Sequence, residues 1–157
     1  MTKILFVCTG NVFRSMIAKE CAKDYAKKHE IKNTVIDSAG TRTKVQEPRP
    51  ETIQRLKELG IEVVHQYKQI TKEIIDANDL VVPMSTDHKE FLLKTFSLDA
   101  PLFNKIAYGK DEAILDFHEF KVGIESSPDE MKEYAYFMVN YIHKAMPDFF
   151  NNLHEWL

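Results

Sequence analysis

Apolar and polar positions alternate along this chain in two distinct rhythms. Ile4 to Val7 is an unbroken apolar run between polar neighbours, as expected for a strand buried on both faces. From about Arg14 to His29 the spacing turns helical, with Ile17, Ala18, Cys21, Ala22 and Tyr25 on one side. Thr34 to Ile36 predicts a second strand, closed by the turn signal DSAGT. Pro50 opens a helix with Ile53, Leu56 and Leu59 on one face, and Gly60 ends it. Thr71 can cap the short helix TKEIIDAN, and Leu80 to Met84 predicts a third buried strand. Thr86 or Asp87 opens a helix reaching Phe96, and Pro101 to Ala107 is predicted as a fourth strand. Tyr108 to Ser127 has no clear period. Pro128 starts a largely apolar helix that Pro147 is expected to break, leaving a short amphipathic helix to Trp156.

Strands alternating with helices in this order predict an α/β fold, a parallel sheet of four strands with helices on both faces. No repeat or linker interrupts the pattern, so residues 1–157 are expected to form one domain. The long stretch after Tyr108 falls where loops more often serve function than slack. Composition narrows the picture further. With 44% hydrophobic and 29% charged residues this is an ordinary globular chain, and a formal charge of -3 argues against a nucleic-acid-binding surface. The N-terminal apolar run is too short for a signal core and no run is long enough to span a bilayer, so a cytoplasmic protein without membrane contact is expected. The chain is expected to work without metal or other cofactor: two cysteines, Cys8 and Cys21, are too few for a disulfide framework or a thiolate cage, and the histidines lack ligand spacing.

Cys8 stands at the carboxyl end of the first strand, where open parallel sheets bind ligands. The segment CTGNVFRS must curl over a small space before the helix begins. Gly10 permits a close or left-handed backbone and Asn11 tolerates one. Such a loop (Thr9, Gly10, Asn11, Val12, Phe13) turns successive amide N–H groups into an anion cradle, with the positive helix end behind it. Arg14 adds a planar fork for two oxygens of a phosphate-like group, and Ser15 can donate to the sulfur. A thiol beside a helix N-terminus and a cation is poised as a nucleophile. Phosphate monoesters suit this constellation: sulfur attacks phosphorus to form a phosphocysteine, the amides and Arg14 hold the equatorial oxygens, and a carboxylic acid protonates the leaving oxygen. Val12 and Phe13 also have a simpler reading as loop packing.

CTGNVFRS closely resembles the phosphate-binding loop of the low-molecular-weight protein tyrosine phosphatases. The resemblance continues in DSAGT (residues 37–41), in HQYKQIT (65–71), similar to that family's H-x-x-x-Q-[LI]-T, and in NDLVVPM (78–84). It implies strand order 2-1-3-4, metal-free catalysis, Cys8 as nucleophile, Arg14 as phosphate clamp, Asn11 as loop shaper and Ser15 as partner of the sulfur. The implied substrate is a phosphorylated protein or a small aryl phosphate; the oligomeric state is left open.

Departures from the family pattern bear on function. The second cysteine usual before the arginine is Phe13, and the proline after the serine is Met16. TRTKVQ lacks the usual aromatic and presents Arg42 and Lys44 instead. The family's Asp-Pro-aromatic loop, which carries its general acid, is missing. Asp116 in ILDFHEF is the favoured substitute, with Phe117 and Phe120 as an aromatic wall, and Glu125 in GIESSP is the alternative. His65 is read as a structural hydrogen-bonder. Besides tyrosine phosphatase activity, three readings stay open: arsenate reduction, for which only Cys21 is left as a relay thiol; protein-arginine phosphatase activity, although members with that preference carry threonine at the position of Val12; and a phosphate- or phosphopeptide-binding module with little turnover.

Overall fold

A computed structural model describes residues 1–157. Strand β1 (Thr2–Cys8) is the middle of a parallel sheet of order β2-β1-β3, with β2 (Thr34–Gly40) and β3 (Leu80–Pro83) on either side. The central strand has no free edge and no solvent face, which is why four consecutive apolar residues suit it. Period-two alternation divides that run between two cores. Ile4 and Phe6 face a large cluster with α1 (Arg14–Lys28), while Leu5 and Val7 face a smaller one with Ile70, Ile75 and Leu92. Asp37 to Gly40, read from the sequence as a turn, is the second half of β2; register aligns Cys8 with Gly40, so the nucleophile candidate and the end of the DSAGT motif leave the sheet together.

The helices α2 (Pro50–Glu58), α3 (Lys72–Asp76) and α4 (Thr86–Phe96) follow the sequence pattern. Thr71 caps α3 through its side chain, accepting from the Ile74 N–H.

Further expectations are corrected. The sheet has three strands, not four: the segment read as the fourth is helix α5 (Phe103–Tyr108), with Phe103, Ile106 and Ala107 buried at helical spacing. The chain passes beside β3 only later, where the Ile114 N–H donates to the Met84 carbonyl at 3.0 Å. The Ile114 carbonyl, instead of extending a ladder, accepts from Arg14 Nη1 at 2.8 Å. The would-be edge strand is thus spent on the arginine.

The stretch without period holds a single turn, α6 (Phe117–Phe120), and a 3₁₀ turn at Ile124–Ser126. The last helix, α7 (Pro128–Asn152), then runs straight through Pro147, which was expected to end it. An internal proline costs about 3 kcal/mol. Beyond it, however, Phe149 is fully buried and stacks on Phe103 at 5.3 Å, and Phe150 stacks on Tyr25 at 5.0 Å. Fully burying a phenylalanine contributes roughly 1.5–3 kcal/mol, so Phe149, with the part-buried Phe150, offsets much of the break. The chain then closes in a 3₁₀ turn, Leu153–Trp156, rather than a separate amphipathic helix.

Candidate active site

Between β1 and α1 the chain forms a loop whose shape hangs on one residue. Asn11 is fully buried in the left-handed region (φ 60°), a conformation asparagine tolerates better than most residues. Its Oδ1 accepts from the Lys68 backbone N–H at 3.0 Å, which fixes the amide's orientation. The amide nitrogen therefore donates to Ser15 Oγ (2.9 Å) and Ser38 Oγ (2.8 Å). Ser15 Oγ lies 3.0 Å from Cys8 Sγ, and once the sulfur is a thiolate, which can only accept, the Ser15 hydroxyl is the donor. The Asn11 carbonyl in turn accepts from His65 Nε2, so His65 Nδ1 accepts from Lys19 Nζ at 2.6 Å. Burial first, and Lys19 second, hold His65 neutral, with its pKa lowered to about 4.

Backbone N–H groups from Thr9 to Met16 donate to no acceptor within the chain. The first helical N–H groups are always orphans, but here the unpaired series extends back through the whole loop. The carbonyls of Cys8 and Thr9 are pinned by the N–H groups of Thr41 (2.9 Å) and Arg42 (3.0 Å). That close approach demands glycine at position 40, where a Cβ would lie 2.5 Å from the Thr9 oxygen.

Arg14 is 3% exposed, a guanidinium held from several sides. Nη1 donates to Ile114 O and lies 3.4 Å from Glu119 Oε1, while Nη2 lies 3.7 Å from Asp116 Oδ2 and 3.5 Å from His88 Nε2. Asp116 and Glu119 form a reciprocal capping box on α6: Asp116 accepts from the Phe117 N–H, and Glu119 from the Asp116 N–H at 2.9 Å. The acidic turn is thereby clipped to the arginine.

A cavity of about 670 Å³ opens over these groups, lined by Cys8, Thr9, Gly10, Val12, Phe13 and Arg14 on its floor and by Asp116, Phe117 and Glu125 on its wall. Both carboxylate candidates reach it, but only Asp116 touches Arg14. Arg42, Lys44 and Arg49 also line it. Phe117 stacks on Phe13 at 4.3 Å, so the residue in place of the second cysteine braces the acidic turn. Phe120 departs from the expected wall. It turns outward and stacks on Tyr134 at 4.3 Å, because a one-turn helix cannot aim both of its phenylalanines at the cavity. Cys21 is buried, its thiol pushed up by burial, and it does not line the cavity. No three His, Cys, Asp or Glu side chains gather as metal ligands, and no helix is long and apolar enough to cross a membrane.

Sequence reasoning missed three participants: Glu119, Ser38 and His88. Ser38 sits on β2 within the DSAGT motif, where its strand position foretold only burial. His88 and Glu119 lie far along the chain from the loop, and their role depends on helix positions that no local motif encodes.

The model of the family described as low molecular weight phosphotyrosine protein phosphatase matches residues 3–108. A protein-arginine-phosphatase of Bacillus subtilis is 32% identical over 94 residues, covering 59% of this chain and 62% of that protein. The chain thus spans less than two thirds of that relative's length. The low molecular weight protein-tyrosine-phosphatase PtpB of Staphylococcus aureus is 30% identical over 112 residues, 69% of this chain and 75% of that one. In fold, the solution structure of a low molecular weight protein tyrosine phosphatase from Bacillus subtilis superposes with a TM-score of 0.81 at 23% identity, covering 98% of each chain. The crystal structure of a YwlE mutant from the same organism gives 0.83 at 23% identity, over 98% of this chain and 99% of that one.

Proposed function

The chain belongs to the low molecular weight phosphotyrosine protein phosphatase family, and we propose that it is a single-domain cysteine-dependent phosphatase that hydrolyses phosphotyrosine in proteins, and small aryl phosphates, through a phosphocysteine on Cys8. The observation that carries this reading is the Asn11–Ser15–Cys8 chain of hydrogen bonds beneath a loop of unpaired N–H groups, with Arg14 alongside. The Ser15 proton favours sulfur as an anion, both when it attacks and when it leaves. Attack forms the S–P bond and breaks the bond from phosphorus to the leaving oxygen; N–H groups of residues 9–14 and the Arg14 guanidinium balance the charge on the equatorial oxygens. Asp116 protonates the leaving oxygen and then takes a proton from the water that cleaves the thiophosphate. Its place beside Arg14 supports it over Glu125. Phe117 offers a flat apolar wall for an aryl group. A nucleophilic thiol without a disulfide partner suits the reducing cytoplasm.

A second reading is protein-arginine phosphatase activity, favoured by relatives from Bacillus subtilis and Geobacillus stearothermophilus that bear that description. Val12 on the cavity floor, in place of threonine, supports the tyrosine preference. An assay with phosphotyrosine and phosphoarginine peptides, on wild type and Cys8→Ser, separates the two. Hydrolysis of phosphotyrosine that Cys8→Ser abolishes is the expected result; exclusive turnover of phosphoarginine overturns the preference, and phosphate binding without turnover of either overturns the enzyme reading.

A further inference from the structure

We infer that the Thr9 side-chain hydroxyl is a further hydrogen-bond donor to the bound phosphoryl group, aimed there by His88 acting as a positioning residue.

His88 stands at the third position of α4, far from the loop in sequence, and only 2% of it is exposed. The Ser85 backbone N–H donates to His88 Nδ1 at 3.1 Å. A backbone N–H can only donate, so Nδ1 carries the lone pair and the neutral ring places its hydrogen on Nε2. Burial, with the Arg14 cation as second cause, keeps the ring neutral by lowering its pKa to about 3. Nε2 lies 2.9 Å from Thr9 Oγ1. The ring therefore donates and the threonine oxygen accepts. Arg14 Nη2, 3.5 Å from the same nitrogen, cannot donate to it and stays available to an anion.

The Thr9 hydroxyl proton then points away from His88. The chain offers it no other acceptor, and the residue lines the cavity next to Cys8 and Arg14. Its backbone is held by the Arg42 N–H on its carbonyl, and its β-branched side chain has few rotamers. The result is an oriented O–H beside the guanidinium, suited to a tetrahedral oxyanion. The requirement on the ligand is an acceptor oxygen at that spot, which a phosphoryl group supplies. Nothing in the loop's amide geometry needs this hydroxyl, so its role is separable from that of the cradle.

This inference rests on the phosphatase reading. Its test measures inhibition by inorganic phosphate and turnover of an aryl phosphate for Thr9→Val, Thr9→Ser, His88→Phe and the Thr9→Val/His88→Phe double variant, with nitrogen NMR of the His88 ring. Loss of one hydrogen bond to a charged group predicts about ten- to hundredfold weaker phosphate binding in Thr9→Val, and recovery in Thr9→Ser. His88→Phe should weaken binding, and the double variant should be no worse than Thr9→Val. NMR should find hydrogen on Nε2 and no titration between pH 5 and 8. The inference is overturned if Thr9→Val binds phosphate like wild type while Cys8→Ser still abolishes turnover, if the two substitutions act additively, or if the ring protonates at Nδ1. A wild-type protein that neither binds phosphate nor hydrolyses the ester removes the phosphatase reading and this inference with it.

Discussion

Replacing Gly40 with alanine should disable the site from outside it. Gly40 lies at the end of β2 and its φ is not positive, so alanine meets no torsional objection. The obstacle is space: the added Cβ would lie 2.5 Å from the Thr9 carbonyl oxygen, 2.6 Å from Thr43 Cγ2 and 3.2 Å from Asn11 Cβ. Reaching ordinary contact at 3.4 Å from the oxygen requires about 0.9 Å of movement (3.4 − 2.5). Gly40 itself cannot retreat, since its N–H donates to Lys68 O and its carbonyl accepts from the Ile70 N–H, both at 2.9 Å. The first peptide of the loop must therefore shift, beside the nucleophile and the backbone of Asn11. Overpacking of this kind destabilises by about 1–3 kcal/mol, and a displacement of about 1 Å in positioning groups lowers turnover about 10²-fold. Gly60→Ala is the control: it has open space but φ +80°, so it should lose about 1 kcal/mol of stability and no activity. Thermal unfolding with aryl phosphate kinetics measures both. Wild-type kcat in a folded Gly40→Ala protein would refute the claim that Thr9 and Asn11 are held by contact with position 40.

Asp116→Asn should lower kcat about 10²–10⁴-fold for esters with poor leaving groups while Glu125→Gln changes it less than about twofold; the reverse pattern in steady-state assays would make Glu125 the acid. Pro147→Ala should raise stability by about 1–3 kcal/mol in urea unfolding, because the helix already runs through that position; a loss would mean the proline is needed there. Stability should also fall below neutral pH. The folded chain keeps His65 and His88 neutral down to about 4 and about 3, whereas the unfolded chain protonates them near the ordinary value of 6.5. Their contribution is complete above pH 6.5 and is lost as pH falls toward those folded values. At pH 5 the loss is about 2 kcal/mol for His88 and about half that for His65, which solvent screens more. Urea midpoints that coincide at pH 7 and pH 5 would contradict this.

The strand–loop–helix core of the site was legible because its determinants are local. A four-residue apolar run, a cysteine, Gly10, Asn11 and Arg14 all lie within residues 4–14, and Asn11 matches the left-handed backbone it adopts, a freedom that Gly10 does not use. The Asn11–Ser15 pairing was also within reach, since the two are neighbours across the loop. The sheet edge was not. Pro101 to Ala107 is short and apolar, a length at which strand and helix periods are hard to tell apart, and the burial of Phe103, Ile106 and Ala107 against α7 decided for helix. Pro147 misled for a related reason: the proline's cost is local and visible, while the packing of Phe149 on Phe103 that offsets it is tertiary. The acid stayed ambiguous because Asp116 and Glu125 both line the cavity, and the family match ends at residue 108, before either. His88 and Glu119 could not be singled out, as their value lies in what folding brings next to Arg14.

The most direct measurement is acid quenching of the protein during turnover of an aryl phosphate, with peptide mapping for a phosphorylated thiol. Phosphate on Cys8, appearing at the rate of the initial release of the alcohol, is the result that a sulfur nucleophile primed by Ser15 requires. Undiminished hydrolysis by Cys8→Ser, or turnover with phosphate attached to another side chain, would contradict it.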